Sequence, residues 1–131
     1  MLEKLEIHES VQGDSAAIEA LYPEAFPDEN LVPLVQDLLQ NPVITVSLVG
    51  TISTQIVGHA IFTMCCVIGS SIKVALLGPL AVTPDWQKQG IGSAIVRTGL
   101  RRMEVAGVSL VLLFTHKSLG TCTFSQQISL A

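Results

Sequence analysis

Val82-Thr83-Pro84-Asp85-Trp86-Gln87-Lys88-Gln89-Gly90-Ile91-Gly92-Ser93-Ala94 is the stretch whose reading decides the fold. An apolar, β-rich run from Ile72 to Val82 leads into it. A helical pattern from Gly90 to Ala106 leads out, with Ile91, Ile95 and Met103 spaced for packing and Gly107 placed to end it. Two glycines, Gly90 and Gly92, open that helix and let a ligand approach the backbone. The first turn of a helix carries N–H groups with no internal partner, and the helix dipole adds partial positive charge. Phosphate oxygens suit such a place, and Gln87, Lys88 and Ser93 add side-chain donors. The plain alternative is a tight loop whose glycines cap a helix and bind nothing.

Two phosphate-binding motifs are excluded. A dinucleotide fingerprint needs a third glycine where Ile95 stands, and needs its glycines after the first strand. A Walker A loop needs Gly-Lys-Ser/Thr, which this loop lacks.

Outward from the loop, Val108 to Phe114 reads as a buried strand parallel to Ile72–Val82, which makes one βαβ unit. Upstream, Val43 to Val49, Ile56 to Val67 and Ile72 to Val82 form three strands joined by turns at Gly50–Gln55 and Gly69-Ser70-Ser71, an antiparallel meander. Gly78-Pro79 inside the last strand predicts a bulge or splay, because proline donates no ladder hydrogen bond. Further back, Leu2 to His8 reads as a first strand and Ala16 to Tyr22 as a first helix interrupted by Pro23. A second helix is predicted from near Asn30, carrying Leu31, Leu34, Val35, Leu38 and Leu39 inward, with Asn41-Pro42 ending it. The tail from Thr115 to Ala131 is Ser/Thr-rich, with either one short strand near Thr121–Phe124 or a surface drape.

Length and composition bound the function. The chain has 131 residues, enough for one domain spanning 1–131 with 115–131 as an atypical tail. Hydrophobic residues make up 49% and charged residues 14%, with mean hydropathy +0.55, which implies a packed core. A net charge of −4 argues against nucleic-acid binding, although Lys88, Arg97, Arg101 and Arg102 cluster enough to meet an anionic small molecule. Cys65, Cys66 and Cys122 show no metal-ligand spacing, so no metal is expected. With no signal segment and no run of about 20 apolar residues, a soluble, cytoplasmic protein without membrane contact is expected.

Gln87-Lys88-Gln89-Gly90-Ile91-Gly92 matches the Q/R-x-x-G-x-G/A signature, and the chain resembles the GNAT N-acetyltransferase superfamily. Leu77 to Pro84, Gly99-Leu100, Val57 to Phe62 and Glu24-Ala25-Phe26-Pro27 extend the likeness to small bacterial predicted acetyltransferases, over about Leu2 to Phe114. The resemblance implies an α/β (α+β) fold with a mixed, mostly antiparallel sheet flanked by helices. It implies acetyl-CoA or coenzyme A as cofactor, with Leu80, Ala81 and Val82 offering backbone groups to the pantetheine arm and acetyl carbonyl. Gln87, Lys88, Gln89, Gly90, Ile91, Gly92 and Ser93 would hold the pyrophosphate. The implied reaction is acetyl transfer to an amine, on a small molecule or a protein.

The catalytic base has only weak candidates: Glu24, Asp28 and Glu29 in the loop after the first helix, and His116 after the last strand. His59, mid-strand among apolar residues, reads as a hydrogen-bonded structural histidine. The family's next helix, which often supplies the acid, and its closing hairpin have no counterpart after Phe114. The uncovered edge this leaves is expected to invite a homodimer. Three readings stay open: an N-acetyltransferase, a CoA-binding or regulatory module without turnover, and a plain α/β domain.

Overall fold

The computed structural model describes residues 4–116 and 122–129, with side chains up to residue 113. Six strands form one sheet in the order of the chain: β1 (Glu6–Glu9), β2 (Thr45–Ile52), β3 (Gln55–Cys66), β4 (Lys73–Val82), β5 (Leu110–His116) and β6 (Cys122–Ser129). Only β4 and β5 run parallel, and α3 (Ile91–Val105) makes the crossover between them. The mixed, mostly antiparallel sheet implied by the family resemblance is thus present. Helices α1 (Ser15–Ala25) and α2 (Val32–Leu39) precede β2.

Side chains alternate across the sheet and feed two cores. On one face Leu48, Ala60, Phe62, Ala75 and Leu77 pack against Ile91, Ile95 and Met103 of α3. On the other, Val49 and Ala81 pack against Ile18, Leu21 and Tyr22 of α1 and Val35 of α2. Helix α3 sits close because Gly99 lacks a side chain: a Cβ there would overlap the ring of Phe62.

The predicted bulge lies at Gly78-Pro79. Ala60 faces Leu80 and Phe62 faces Leu77, so β4 carries one residue more than β3 across this interval. Pairing of β4 with β5 stops at Leu77–Leu113, while β4 continues to Val82 and β5 to His116. The two parallel strands therefore part beyond the bulge.

Four sequence expectations are corrected. The first helix does not stop at Pro23 but runs to Ala25. Pro23 removes one N–H, yet the buried Ile18, Leu21 and Tyr22 hold the helix against the sheet, and the Phe26 N–H still reaches the Tyr22 carbonyl at 2.8 Å. The second helix starts at Val32 rather than Asn30, with Pro33 in its first turn where a missing N–H costs little. Gly50 lies within β2 rather than in a turn; the turn is the pair Ser53-Thr54, both with positive φ (50° and 67°), as a tight hairpin requires. In the tail, Cys122–Ser129 forms a full strand paired antiparallel with β5 from Leu110–Ser129 to His116–Cys122. A bare edge of N–H and C=O groups is a template for pairing, and here the same chain fills it. The edge that suggested a second copy is therefore taken by β6.

Candidate functional site: a strand end, a loop and an uncapped helix

The site is built from the last residues of β4 and the loop that follows. The Thr83 N–H donates to the Val57 carbonyl at 2.9 Å, and Val82 faces Gly58 across the register. In an antiparallel ladder this makes Val82–Gly58 a non-hydrogen-bonded pair and Ala81–His59 a bonded one. The N–H and C=O of Val82 and Leu80 consequently point away from β3, into the gap where β4 and β5 part. Ala81, named with them from the sequence, turns its backbone toward His59 and its side chain into the core beside α1.

The Val82 carbonyl is occupied. Gln87 Nε2 donates to it at 2.9 Å, across the single 3-10 turn Pro84–Trp86. The Gln87 amide thus ties the loop to the strand end and leaves the Val82 N–H facing the gap. Gln89 Nε2 reaches the Asp85 carbonyl at 3.4 Å, so both glutamines brace the loop from within.

Lys88 and Gly90 adopt positive φ, 63° and 86°, and fold the loop onto the start of α3. Glycine takes this conformation without the Cβ penalty and stands here as the residue before the helix. The first intrahelical bond is Ala94 N–H to the Gly90 carbonyl, 3.0 Å. The N–H groups of Ile91, Gly92 and Ser93 therefore have no acceptor among the described residues, and no side chain caps them. Ile91 itself is buried in the core and contributes only its backbone. Packing does not require glycine at position 92: a Cβ there would meet only Val82 Cγ2, at an ordinary 3.7 Å. The missing side chain instead leaves open ground above the free N–H groups. The exposed Lys88 ammonium makes no ion pair among the described residues and adds positive charge to the same corner.

His59 is held as the sequence suggested. It is fully buried, with Nδ1 2.7 Å from the Tyr22 hydroxyl and Nε2 2.8 Å from Ser47 Oγ, which in turn accepts from Ser10 Oγ at 2.7 Å. Burial lowers its pKa to about 3 and pushes the Tyr22 phenol up. A ring held neutral this firmly, with both nitrogens engaged, is no general base.

The three carboxylates expected in the loop separate, and Glu24 lies in the last turn of α1 because that helix runs on past Pro23 to Ala25. Glu24 lines a cavity of about 580 Å³ between α1 and the ends of β1, β2 and β3. Asp28 is exposed and Glu29 half-buried, and neither lines it. His116 ends β5 opposite Cys122, and its side chain lies outside the described residues. Glu6, His8, Asp14, Thr51 and Thr83 share the cavity with Glu24, and sequence reading did not single them out for it. One signal was available: Glu6 and His8 alternate with Leu5 and Ile7, which pack on the α3 face, so the polar pair had to face α1.

Known proteins share this fold. The model of the Acetyltransferase (GNAT) family matches residues 10–121. YjhQ of Escherichia coli K12, an uncharacterized N-acetyltransferase, is 29% identical over 113 residues, covering 83% of this chain and 62% of YjhQ. YhbS of the same strain, likewise uncharacterized, is 29% identical over 107 residues, covering 81% of this chain and 64% of YhbS. The chain thus spans less than two thirds of the length of these relatives. Among solved structures, a GNAT family acetyltransferase from Brucella melitensis in complex with acetyl-CoA has a TM-score of 0.77 at 25% identity, over 93% of this chain and 88% of that one. YhbS of Escherichia coli in complex with CoA has a TM-score of 0.76 at 27% identity, over 88% of this chain and 64% of that one. The matched residues contain the parted strands, the braced loop and the uncapped helix start, and the chain belongs to the GNAT family of acetyltransferases.

Proposed function

We propose that this chain binds acetyl-CoA and transfers its acetyl group to an amine. The observation that carries the reading is the uncapped start of α3, whose Ile91, Gly92 and Ser93 N–H groups face open ground beside the parted strands. Those donors, with the Lys88 ammonium, fit a pyrophosphate. The Leu80 and Val82 backbone groups turned into the gap fit an extended pantetheine amide chain. Complexes of the two structural neighbours with acetyl-CoA and CoA support the same cofactor.

Acetyl-CoA supplies an activated thioester, so that an N–C bond forms on the amine as the C–S bond breaks and the amine's proton is released. In this reading the Val82 N–H, which turns into the gap, donates to negative charge on the carbonyl oxygen, the role of an oxyanion-hole donor. In this reading Glu24, a carboxylate bordering the cavity on the α1 face, takes the amine's proton, directly or through water.

A second reading, cofactor binding without turnover, has its own observation. The described residues include no helix after β5, where the family resemblance implies one that often supplies the leaving thiolate's acid.

Calorimetric titration of CoA and acetyl-CoA into the wild type and Gly92→Val, followed by thiol release with a panel of amines, tests both. In Gly92→Val the new side chain covers the free N–H groups. Losing charge-assisted hydrogen bonds worth about 1.5–3 kcal/mol each lowers affinity about 100-fold or more. The fold should persist, since the nearest neighbour lies at 3.7 Å and valine is no worse than glycine in a helix. Unchanged affinity in a folded variant would refute the site; binding without thiol release would select the second reading.

A further inference from the structure

Among the described residues, six of the seven exposed large hydrophobics gather at one end of the molecule: Val43, Ile44, Val67, Ile68, Ile72 and Val105. The topology puts them there. Val43 and Ile44 lead into β2, Val67 and Ile68 follow β3, Ile72 leads into β4, and Val105 ends α3. Hydrogen bonds tie these chain ends together. The Met64 N–H donates to the Ile44 carbonyl at 2.6 Å, the Val67 N–H to the Ile72 carbonyl at 3.4 Å, and Lys73 Nζ to the Ala106 carbonyl at 3.3 Å. Strand β4 runs from this end to Val82, so at the rise of an extended chain the patch lies about 30 Å from the proposed cofactor seat.

This end carries both a knob and a hole. Ile68 is 100% exposed at the tip of the β3–β4 hairpin. Val46, Met64, Met103 and Val105 line an apolar groove of about 470 Å³ at the same end. Single apolar side chains on a surface are ordinary, but a cluster with its own groove marks a contact face. The charges around it have both signs. Arg101 and Glu104 stand one turn apart on α3, both exposed, and neither makes an ion pair among the described residues. Arg102, which borders the groove, is held by Glu9 at 3.1 Å, and Lys73 by the Ala106 carbonyl. With those cations engaged and a net charge of −4, the end lacks the surplus positive field that an anionic membrane surface would need. Free charges of opposite sign one turn apart instead make the surface complementary to itself: a two-fold axis can bring Arg101 of one copy to Glu104 of the other.

We propose that this end is a two-fold interface with a second copy of the chain, in which Ile68 of each copy seats in the apolar groove of the other. Knob and hole lie on one chain, so each copy supplies what its partner lacks, as a closed two-fold contact requires. An apolar centre rimmed by arginine and a carboxylate is the usual anatomy of such a face. The interface uses no sheet edge: β6 already pairs with β5. It also owes nothing to the acetyltransferase reading.

Sedimentation equilibrium of the full chain over about 1–100 μM, the range in which a weak dimer dissociates, tests the proposal. The wild type should be dimeric at the upper end. Ile68→Asp and Val105→Lys should each weaken the dimer at least about 10-fold, as loss of a central contact does, with the melting temperature of the monomer unchanged because both side chains are exposed. Arg101→Glu and Glu104→Arg should each weaken it as well, and the double variant carrying both should restore it, because the pairing is then reversed rather than lost. A wild type that stays monomeric throughout overturns the proposal, as does a dimer that survives both Ile68→Asp and Val105→Lys. A double variant no tighter than the single ones overturns the two-fold pairing. A monomer that binds phosphatidylcholine–phosphatidylserine vesicles through Ile68 would also overturn it and assign this end to a lipid surface. None of these outcomes depends on whether acetyl-CoA binds.

Discussion

Acid should destabilise this protein through one residue. His59 is fully buried, and its ring nitrogens contact two hydroxyls and no carboxylate. The Tyr22 hydroxyl, buried with one hydrogen-bond partner, best donates its proton to Nδ1, which places the imidazole proton on Nε2, toward Ser47. A second proton would have to enter at Nδ1 against that donor, in a site with no countercharge. The pKa accordingly falls from 6.5 to about 3. The sign follows from proton binding. Between these values the unfolded chain takes up a proton at His59 and the folded chain does not, so stability is complete above pH 6.5 and is lost as pH falls toward 3. The slope is about 1.4 kcal/mol per pH unit, so a step from pH 6.5 to 5 costs about 2 kcal/mol, a large share of the 5–15 kcal/mol typical of a domain. Urea unfolding of the wild type and His59→Gln at pH 7, 6 and 5 measures it. Glutamine keeps a donor and an acceptor for Ser47 and Tyr22 but does not titrate. The variant should be less stable at pH 7 by about 1–2 kcal/mol and should not share the wild type's acid loss. Parallel pH dependence in the two proteins, or a native-state His59 titration near 6.5 by NMR, would refute the reasoning.

Two further outcomes follow from particular contacts. Gly99→Ala adds helix propensity worth about 1 kcal/mol but drives a methyl into the Phe62 ring. Overpacking should win, with a net loss of about 1–3 kcal/mol in thermal or chemical unfolding, and an unchanged or raised melting temperature would show that α3 is not seated as described. Gln87→Leu removes the 2.9 Å bond that holds the Val82 carbonyl. Weakened placement of the strand end should raise KM for acetyl-CoA about 5- to 10-fold with little change in stability, and a KM equal to wild type would assign the Gln87 side chain no part in the site.

Much of this molecule is written locally. The turn from Gln87 to Gly92 is legible because glycine spacing, helix-start chemistry and donor side chains act within a few residues of one another. The meander and the bulge at Gly78-Pro79 are legible for a like reason: a proline in a strand has few places to go. Helix ends and the tail were less legible. Pro23 sits inside α1 because Ile18, Leu21 and Tyr22 find a sheet to pack on, a gain that lies outside the helix's own sequence. The strand Cys122–Ser129 has no strong pattern of its own and forms against the open edge of β5.

Within the site the division is sharper. By itself the sequence determined that a phosphate seat could exist at Gly90–Ser93, since free N–H groups are a property of any helix start. Tertiary structure alone decided that Val82 rather than Ala81 faces the gap, because that depends on register against Gly58. It also decided that Gln87 braces the strand, and that Gly92 is empty for want of a packing neighbour. Glu6, Asp14, Glu24 and Thr83 become one cavity only when α1 crosses the sheet, because elements far apart in the chain meet through packing that no local pattern encodes.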